Sequence, residues 1–170
     1  MRYVRTRMKM HMYRGSHLPL LMKAVQNTSG PILELGSGIY STTYLHWVCF
    51  PTKRRVVTYE NNANWYDFAN LAIADFHEVK CVPDWNSLDL SEPWSVAFVD
   101  CEPAEKRAEL IKQLTHAEYV VAHDTERRSE RKYHFDTIAP LFKYSYRYDV
   151  TWPNSTVWSN VHDLTNFIVK

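Results

Sequence analysis

The chain has 170 residues, 45% of them hydrophobic, and a formal net charge of +1. That length suits one domain with a single buried core, and the composition excludes a disordered chain. The small net charge gives no global pull toward nucleic acid or membrane, and no run of about 18 apolar residues offers a bilayer span.

Residues 1–15 carry Arg2, Arg5, Arg7, Lys9 and Arg14 without an acid. They read as a basic N-terminal arm, either solvated or touching an anionic substrate, and they lack the apolar core of a secretory signal. Residues 16–170 read as one domain. Leu18 to Val25 has helical spacing and stops at Asn27-Thr28-Ser29-Gly30-Pro31. Ile32-Leu33-Glu34-Leu35 is an apolar strand that drops into Gly36-Ser37-Gly38. Ser41 and Thr42 then offer caps for a helix whose apolar face is Tyr44, Leu45, Trp47 and Val48, closed by Pro51. Val56 to Tyr59 is the second strand, ending on Glu60.

Asn64 to Phe76 is helical by pattern, and Glu78 to Val82 is a short strand stopped by Pro83. Trp94 to Val99 and Ala117 to Ala122 are continuously apolar, as in strands buried on both faces, with a helix at Ala104 to Leu114 between them. The two strands end at Asp100 and at His123-Asp124-Thr125. Tyr133 to Phe142 reads as a helix ended near Pro140. Lys143 to Lys170 alternates around the turn Trp152-Pro153-Asn154-Ser155 and reads as antiparallel strands. Cys49, Cys81 and Cys101 are far apart and form no Cys-x-x-Cys pair, so neither a zinc motif nor a disulfide framework is expected. A reducing, cytoplasmic setting is the simplest reading.

The alternation of strands and helices implies an open α/β sheet with helices on both faces, a Rossmann-like three-layer sandwich closed by an antiparallel hairpin. Right-handed crossovers bring the strand ends to one edge, where ligands bind. Gly36, Glu60, Asp84, Asp100 and Asp124 all fall at or just past strand ends. A Gly-x-Gly turn after a strand, with an acid about twenty residues on, is the layout of a nucleoside cofactor site. Ser41 stands where a dinucleotide fingerprint has its last glycine, which disfavours NAD.

These residues resemble the class I S-adenosylmethionine-dependent methyltransferases. The carriers are Glu34-Leu35-Gly36-Ser37-Gly38, Glu60, Asp84, Val99-Asp100, Arg107 and His123-Asp124. The resemblance implies a seven-stranded, mostly parallel sheet whose last strand runs antiparallel. It places Glu34, Gly36, Ser37, Gly38, Glu60, Asp84, Trp85 and Asp100 around the cofactor. Glu60 is the expected ribose clamp, and Trp85 could stack on the base or be an ordinary core residue. The later spacing Val99-Asp100-Cys101-Glu102-Pro103, Arg107, His123-Asp124 is similar to small O-methyltransferases, with a small-molecule or saccharide hydroxyl as acceptor. Asp100, His123 and Asp124 are then the candidate catalytic residues.

Metal-dependent members place acids at the ends of strands four and five, so Asp100 and Asp124 are candidate Mg²⁺ ligands. Thr125 stands where those enzymes have Asn, and Glu102 or a water would have to substitute. Without metal, Asp100 or His123 is the expected base. Arg127, Arg128, Arg131 and Lys132 either grip an acidic acceptor or form a solvated helix start with Glu126 and Glu130. Trp152, Trp158 and Asn160 either wall the acceptor or pack the core. A nucleic-acid methyltransferase using the basic arm and a non-catalytic S-adenosylmethionine-binding protein are the alternatives.

Overall fold

The computed structural model describes residues 12–167. Most of the expected basic arm therefore lies outside the described residues.

Seven strands form one sheet in the order β3-β2-β1-β4-β5-β7-β6. They are β1 (Ile32–Leu35), β2 (Val56–Glu60), β3 (His77–Cys81), β4 (Val96–Val99), β5 (Tyr119–His123), β6 (Tyr144–Tyr148) and β7 (Ser155–Ser159). The first five run parallel, and β7 runs antiparallel to both β5 and β6. The closing hairpin is present as expected, with β7 inserted beside β5 and β6 forming the edge. Insertion explains the burial of all five β7 residues, while β6 alternates between half-buried and exposed positions before the buried Tyr148.

Alternate residues of each strand build the two cores. Leu33, Leu35, Val57, Ala97, Val99 and Val120 face α4 (Lys106–Gln113), together with the buried rings of Trp85 and Trp94. Ile32, Val56, Val96, Phe98 and Val121 face α1 (Leu18–Gln26) and α2 (Ser41–Cys49). Phe98 is fully buried, a contribution of roughly 1.5–3 kcal/mol for a side chain of this kind. In α1, Pro19 sits in the first turn, where a missing N–H is harmless, and Leu20, Leu21, Ala24 and Val25 face the sheet.

Two helices differ from the sequence pattern. The expected Asn64–Phe76 helix is α3 (Ala63–Ala69), capped by the Asn62 side chain and continued only by a 3-10 turn at Asn70–Ala72. The expected Tyr133–Phe142 helix is two 3-10 turns, because His134 adopts the left-handed conformation and interrupts the run. The preceding basic segment instead forms α5 (Arg127–Lys132). Ser41 and Thr42 also lie inside α2 rather than capping it, with Tyr40 at the cap position. Their hydroxyls turn inward.

Register fixes the site. Leu35 pairs with Tyr59 on one side and Val99 on the other, and Val99 pairs with Ala122. The next residues along these strands, Gly36, Glu60, Asp100 and His123, are therefore neighbours on one edge.

A candidate ligand site at the strand ends

The turn after β1 is shaped by the chain itself. Gly36 has φ +88°, and a Cβ there would lie 2.6 Å from the Asp100 carbonyl oxygen and from the Cys101 backbone. Only glycine allows both that conformation and that approach. Beneath the turn, the fully buried Glu34 accepts hydrogen bonds from Thr42 Oγ1 at 2.9 Å and Thr58 Oγ1 at 2.7 Å. Burial pushes its carboxyl up to about 7, although hydroxyl donors oppose the rise.

Glu60 is 4% exposed, and four donors meet its carboxylate. Oε2 accepts from Ser37 N at 2.7 Å and Ser37 Oγ at 2.9 Å, while Oε1 accepts from the amides of Asn61 and Asn62 at 2.9 and 2.8 Å. That fills the roughly four acceptor sites of a carboxylate. Asp84 is exposed and caps the 3-10 turn at Trp85–Ser87 by accepting from Asn86 N. Trp85 is buried, with Nε1 donating to the Glu102 carbonyl at 2.8 Å.

A different arrangement occupies the ends of β4 and β5. Arg107 projects from α4 and is 2% exposed. Its Nη2 lies 3.0 Å from Asp100 Oδ1, its Nη1 lies 3.0 Å from Asp124 Oδ2, and its Nε donates to the Cys101 carbonyl. Burial disfavours the guanidinium charge, but Asp100 and Asp124 outweigh it. The same surroundings would raise the Asp100 carboxyl, yet Arg107 and His123 hold it at about 2.

His123 Nδ1 lies 3.2 Å from Asp100 Oδ2. Its Nε2 lies 2.8 Å from Ser16 Oγ, whose proton goes to the Pro153 carbonyl, so Nε2 must be the donor to Ser16. Burial lowers the imidazole, but Asp100 and then Asp124 overcome it and raise it above its ordinary value. Both ring nitrogens face oxygen partners, Nδ1 toward Asp100 and Nε2 toward Ser16. Asp124 has φ +57°, and its Oδ1 is 3.7 Å from His123 Nδ1, outside hydrogen-bond range.

The two acids were expected to hold Mg²⁺. A magnesium shell needs open carboxylate oxygens around a compact ion. Here one guanidinium already binds one oxygen from each acid, and Glu102 Oε1 also reaches Nη2 at 3.4 Å. Thr125, at the expected third ligand, is buried and bonded to Thr156 Oγ1 at 2.7 Å. This donor set fits an arginine and not Mg²⁺.

A cavity of about 400 Å³ opens between the glycine turn and this charged web. Ser37, Gly38, Asp100, His123 and Asp124 line it, and so do Arg14 and Glu102. Glu60, Asp84 and Trp85 do not line it. Trp65, Tyr40 and His17 do, and the sequence pattern had given none of them a site role. His17 is 2% exposed, and neither of its ring nitrogens has a hydrogen-bond partner. Burial, and then the charge on His123, lower its imidazole to about 3, so it is neutral. No local pattern marks His17; it reaches the site because α1 begins just behind the sheet edge.

The proposed acceptor wall does not assemble. Trp158 packs against Phe135 and Phe142, and Asn160 donates to the carbonyls of Thr115 and Leu141. Trp152 is 69% exposed. Arg127 and Arg128 are exposed away from the cavity, and the side chain of Arg131 lies outside the described residues.

No protein-family model and no curated protein matches the chain. Solved structures do match it. The SAH-bound methyltransferase PaMTH1 of Podospora anserina gives a TM-score of 0.65 at 15% identity, covering 89% of this chain and 80% of that one. The O-methyltransferase of Bacillus cereus in complex with SAH gives 0.62 at 20%, covering 89% and 82%. The O-methyltransferase TomG of Streptomyces achromogenes, in complex with SAM and involved in tomaymycin synthesis, gives 0.62 at 19%, covering 89% and 81%. At these identities the likeness is one of fold.

Proposed function

We propose that this chain, which has the fold of the class I S-adenosylmethionine-dependent methyltransferases, is such a methyltransferase acting on a hydroxyl of a small molecule or saccharide. The observation that carries the reading is the strand-end cavity, with the glycine turn on one side and Asp100, His123 and Asp124 on the other. Its volume suits a small-molecule site, and Trp65 and Tyr40 give it apolar surface for a ring.

The residues present fit the donor in part. Ser37 and Gly38 offer the turn that receives its amino-acid half, Arg14 can take the carboxylate, and Glu102 the ammonium. Glu60 fits the ribose only by exchange. Its Oε2 would give up the Ser37 hydroxyl, which sits in the cavity wall, and accept a ribose hydroxyl.

When bound, S-adenosylmethionine supplies a methyl group on a sulfonium, activated for in-line displacement. The protein positions the acceptor and removes its proton. Asp124 Oδ1 is the oxygen available for that proton, since Oδ2 is held by Arg107. Arg107 orients the carboxylate through its 3.0 Å contact with Oδ2. Asp100 is too strongly stabilised as an anion to serve as the base, and both His123 nitrogens already face oxygen partners.

Calorimetry with S-adenosylmethionine and S-adenosylhomocysteine is the test. Micromolar binding of both, with Asp124→Asn retaining binding but losing turnover on a hydroxyl acceptor panel, is the expected result. Absence of binding to the wild-type chain overturns the assignment.

A further inference from the structure

The buried imidazole of His17 has no role in the scheme above. A buried polar group left without a partner is costly, so one that persists calls for a reason. What lies beside it supplies one. The ring centroids of His17 and His123 are 4.9 Å apart in an edge-on arrangement. One ligand atom from each of His17, Asp100 and His123 lies within 4.8 Å of the others. Among the described residues this is the one such group of three metal-ligating side chains.

We propose that His17, Asp100 and His123 form a binding site for a divalent transition-metal ion of the zinc or cobalt type, open to the cavity. The site goes beyond methyl transfer and stands on its own geometry.

Two imidazoles and one carboxylate suit Zn²⁺, Co²⁺ or Fe²⁺, whereas Mg²⁺ prefers an all-oxygen shell. His123 Nδ1 and Asp100 Oδ2 are 3.2 Å apart. Two ligands at bonds of about 2.0–2.1 Å on a tetrahedral ion stand about 3.3 Å apart, so this edge of the site is already set. The His17 ligand atom lies within 4.8 Å of both, on a ring whose nitrogens no hydrogen bond restrains.

The supporting shell has the form metal-binding histidines use, in which the distal N–H is tied to a fixed acceptor. His123 Nε2 donates to Ser16 Oγ, which itself donates a hydrogen bond to the Pro153 carbonyl. That leaves Nδ1 as the atom directed at Asp100. On binding, the Nδ1 lone pair goes to the ion and the Nδ1 proton leaves to solvent. Arg107 stays on Asp100 Oδ1 and Asp124 Oδ2, so the web that excludes Mg²⁺ steadies this second site. The cavity leaves the fourth position of a tetrahedral ion open to water or an acceptor oxygen.

The experiment is a Zn²⁺ titration of metal-free protein against a chromogenic chelator, with no S-adenosylmethionine or S-adenosylhomocysteine present, so that donor binding and metal binding fail separately. The expected result is one Zn²⁺ per chain at micromolar or tighter affinity, not displaced by millimolar Mg²⁺. His17→Phe should weaken it at least 100-fold. His46→Gln, at the separate stacked pair His46–His77, should leave it unchanged. No Zn²⁺ binding by the wild type, or undiminished binding by His17→Phe, overturns the proposal. A wild-type measurement needs no variant to fold: the imidazole ¹⁵N resonances of His17 and His123 should both shift on adding Zn²⁺. Shifts confined to other histidines reject the site.

Discussion

On the β2–β3 side of β1, the acids at the strand ends are absorbed by their own chain: Glu60 is filled by Ser37, Asn61 and Asn62, and Asp84 caps a turn. On the β4–β5 side, Asp100 and Asp124 face a cavity and are met by one buried arginine, with His123 beside Asp100. Both sides present carboxylates at equivalent places in the topology. They differ in what neutralises them. Glu60 is met by the amides of Asn61 and Asn62 in its own loop and by Ser37 of the neighbouring turn, whereas the β4–β5 acids are met by the Arg107 side chain from α4 and leave oxygens facing the cavity. A strand-end acid is thus available for chemistry where the surrounding turns leave one of its oxygens without an amide or hydroxyl donor.

Removing Arg107 should break the comparison most severely. Arg107→Met keeps much of the stem packing but leaves Asp100 and Asp124 facing each other without their cation. Losing one partner of a buried charge network costs about 3–5 kcal/mol, visible as a lower urea midpoint. Arg107→Lys should recover little, because an ammonium cannot span two carboxylates and the Cys101 carbonyl. Asp100→Asn in the Arg107→Met background should return part of the loss. A midpoint indifferent to Arg107→Met would show that the web is not holding the β4–β5 edge.

The corresponding change on the other side should be milder. Glu60→Gln places an NH₂ group against two of four donors and costs about 2 kcal/mol. It should also weaken S-adenosylhomocysteine. Ser37→Ala, which frees one lone pair of Glu60 Oε2, should preserve or tighten that binding. A marked loss of affinity in Ser37→Ala would end the exchange account of the ribose.

Glu34 lies on β1, between the two sides, and answers to pH. Its folded value of about 7 stands above the ordinary carboxyl range. A raised carboxyl contributes stability that is full below the unfolded value and is lost as pH rises through the folded one. From pH 6 to 8 the wild type should therefore lose about 1 kcal/mol through this group, and Glu34→Gln should flatten that part of the pH–stability curve.

Particular residues show what the sequence could and could not reveal. The strand order and the edge where Gly36, Glu60, Asp100 and His123 meet follow from apolar periodicity and crossover handedness, which are local or general. The two helical patterns outrun the helices because apolar spacing persists through segments where backbone conformation, as at His134, breaks the helix. At the site, residue type was legible and partnership was not. Arg107 was noticed as a spaced residue, yet its place between two acids depends on the turn from β4 into α4. His17 carried no signal, since only packing puts α1 behind His123. Trp85 reads equally as binding surface or core and Trp158 more readily as core, and burial assigns both to the core.

Trp85 gives the smallest and sharpest test of that distinction. A tryptophan stacked on a base would owe its value to ring area exposed in the site, and changing it would alter nucleoside affinity. Trp85 instead packs against the sheet and donates Nε1–H to the Glu102 carbonyl, which also accepts from Asn61 Nδ2 at 2.8 Å. Trp85→Phe keeps an aromatic ring in the core and removes one of two donors to an oxygen that stays satisfied. The expected loss is about 0.5 kcal/mol beyond the volume change, read from the urea midpoint. S-adenosylhomocysteine affinity should stay within twofold of wild type. A tenfold weakening with unchanged stability would move Trp85 back into the site, and the β2–β3 side would then carry binding that its packed geometry conceals.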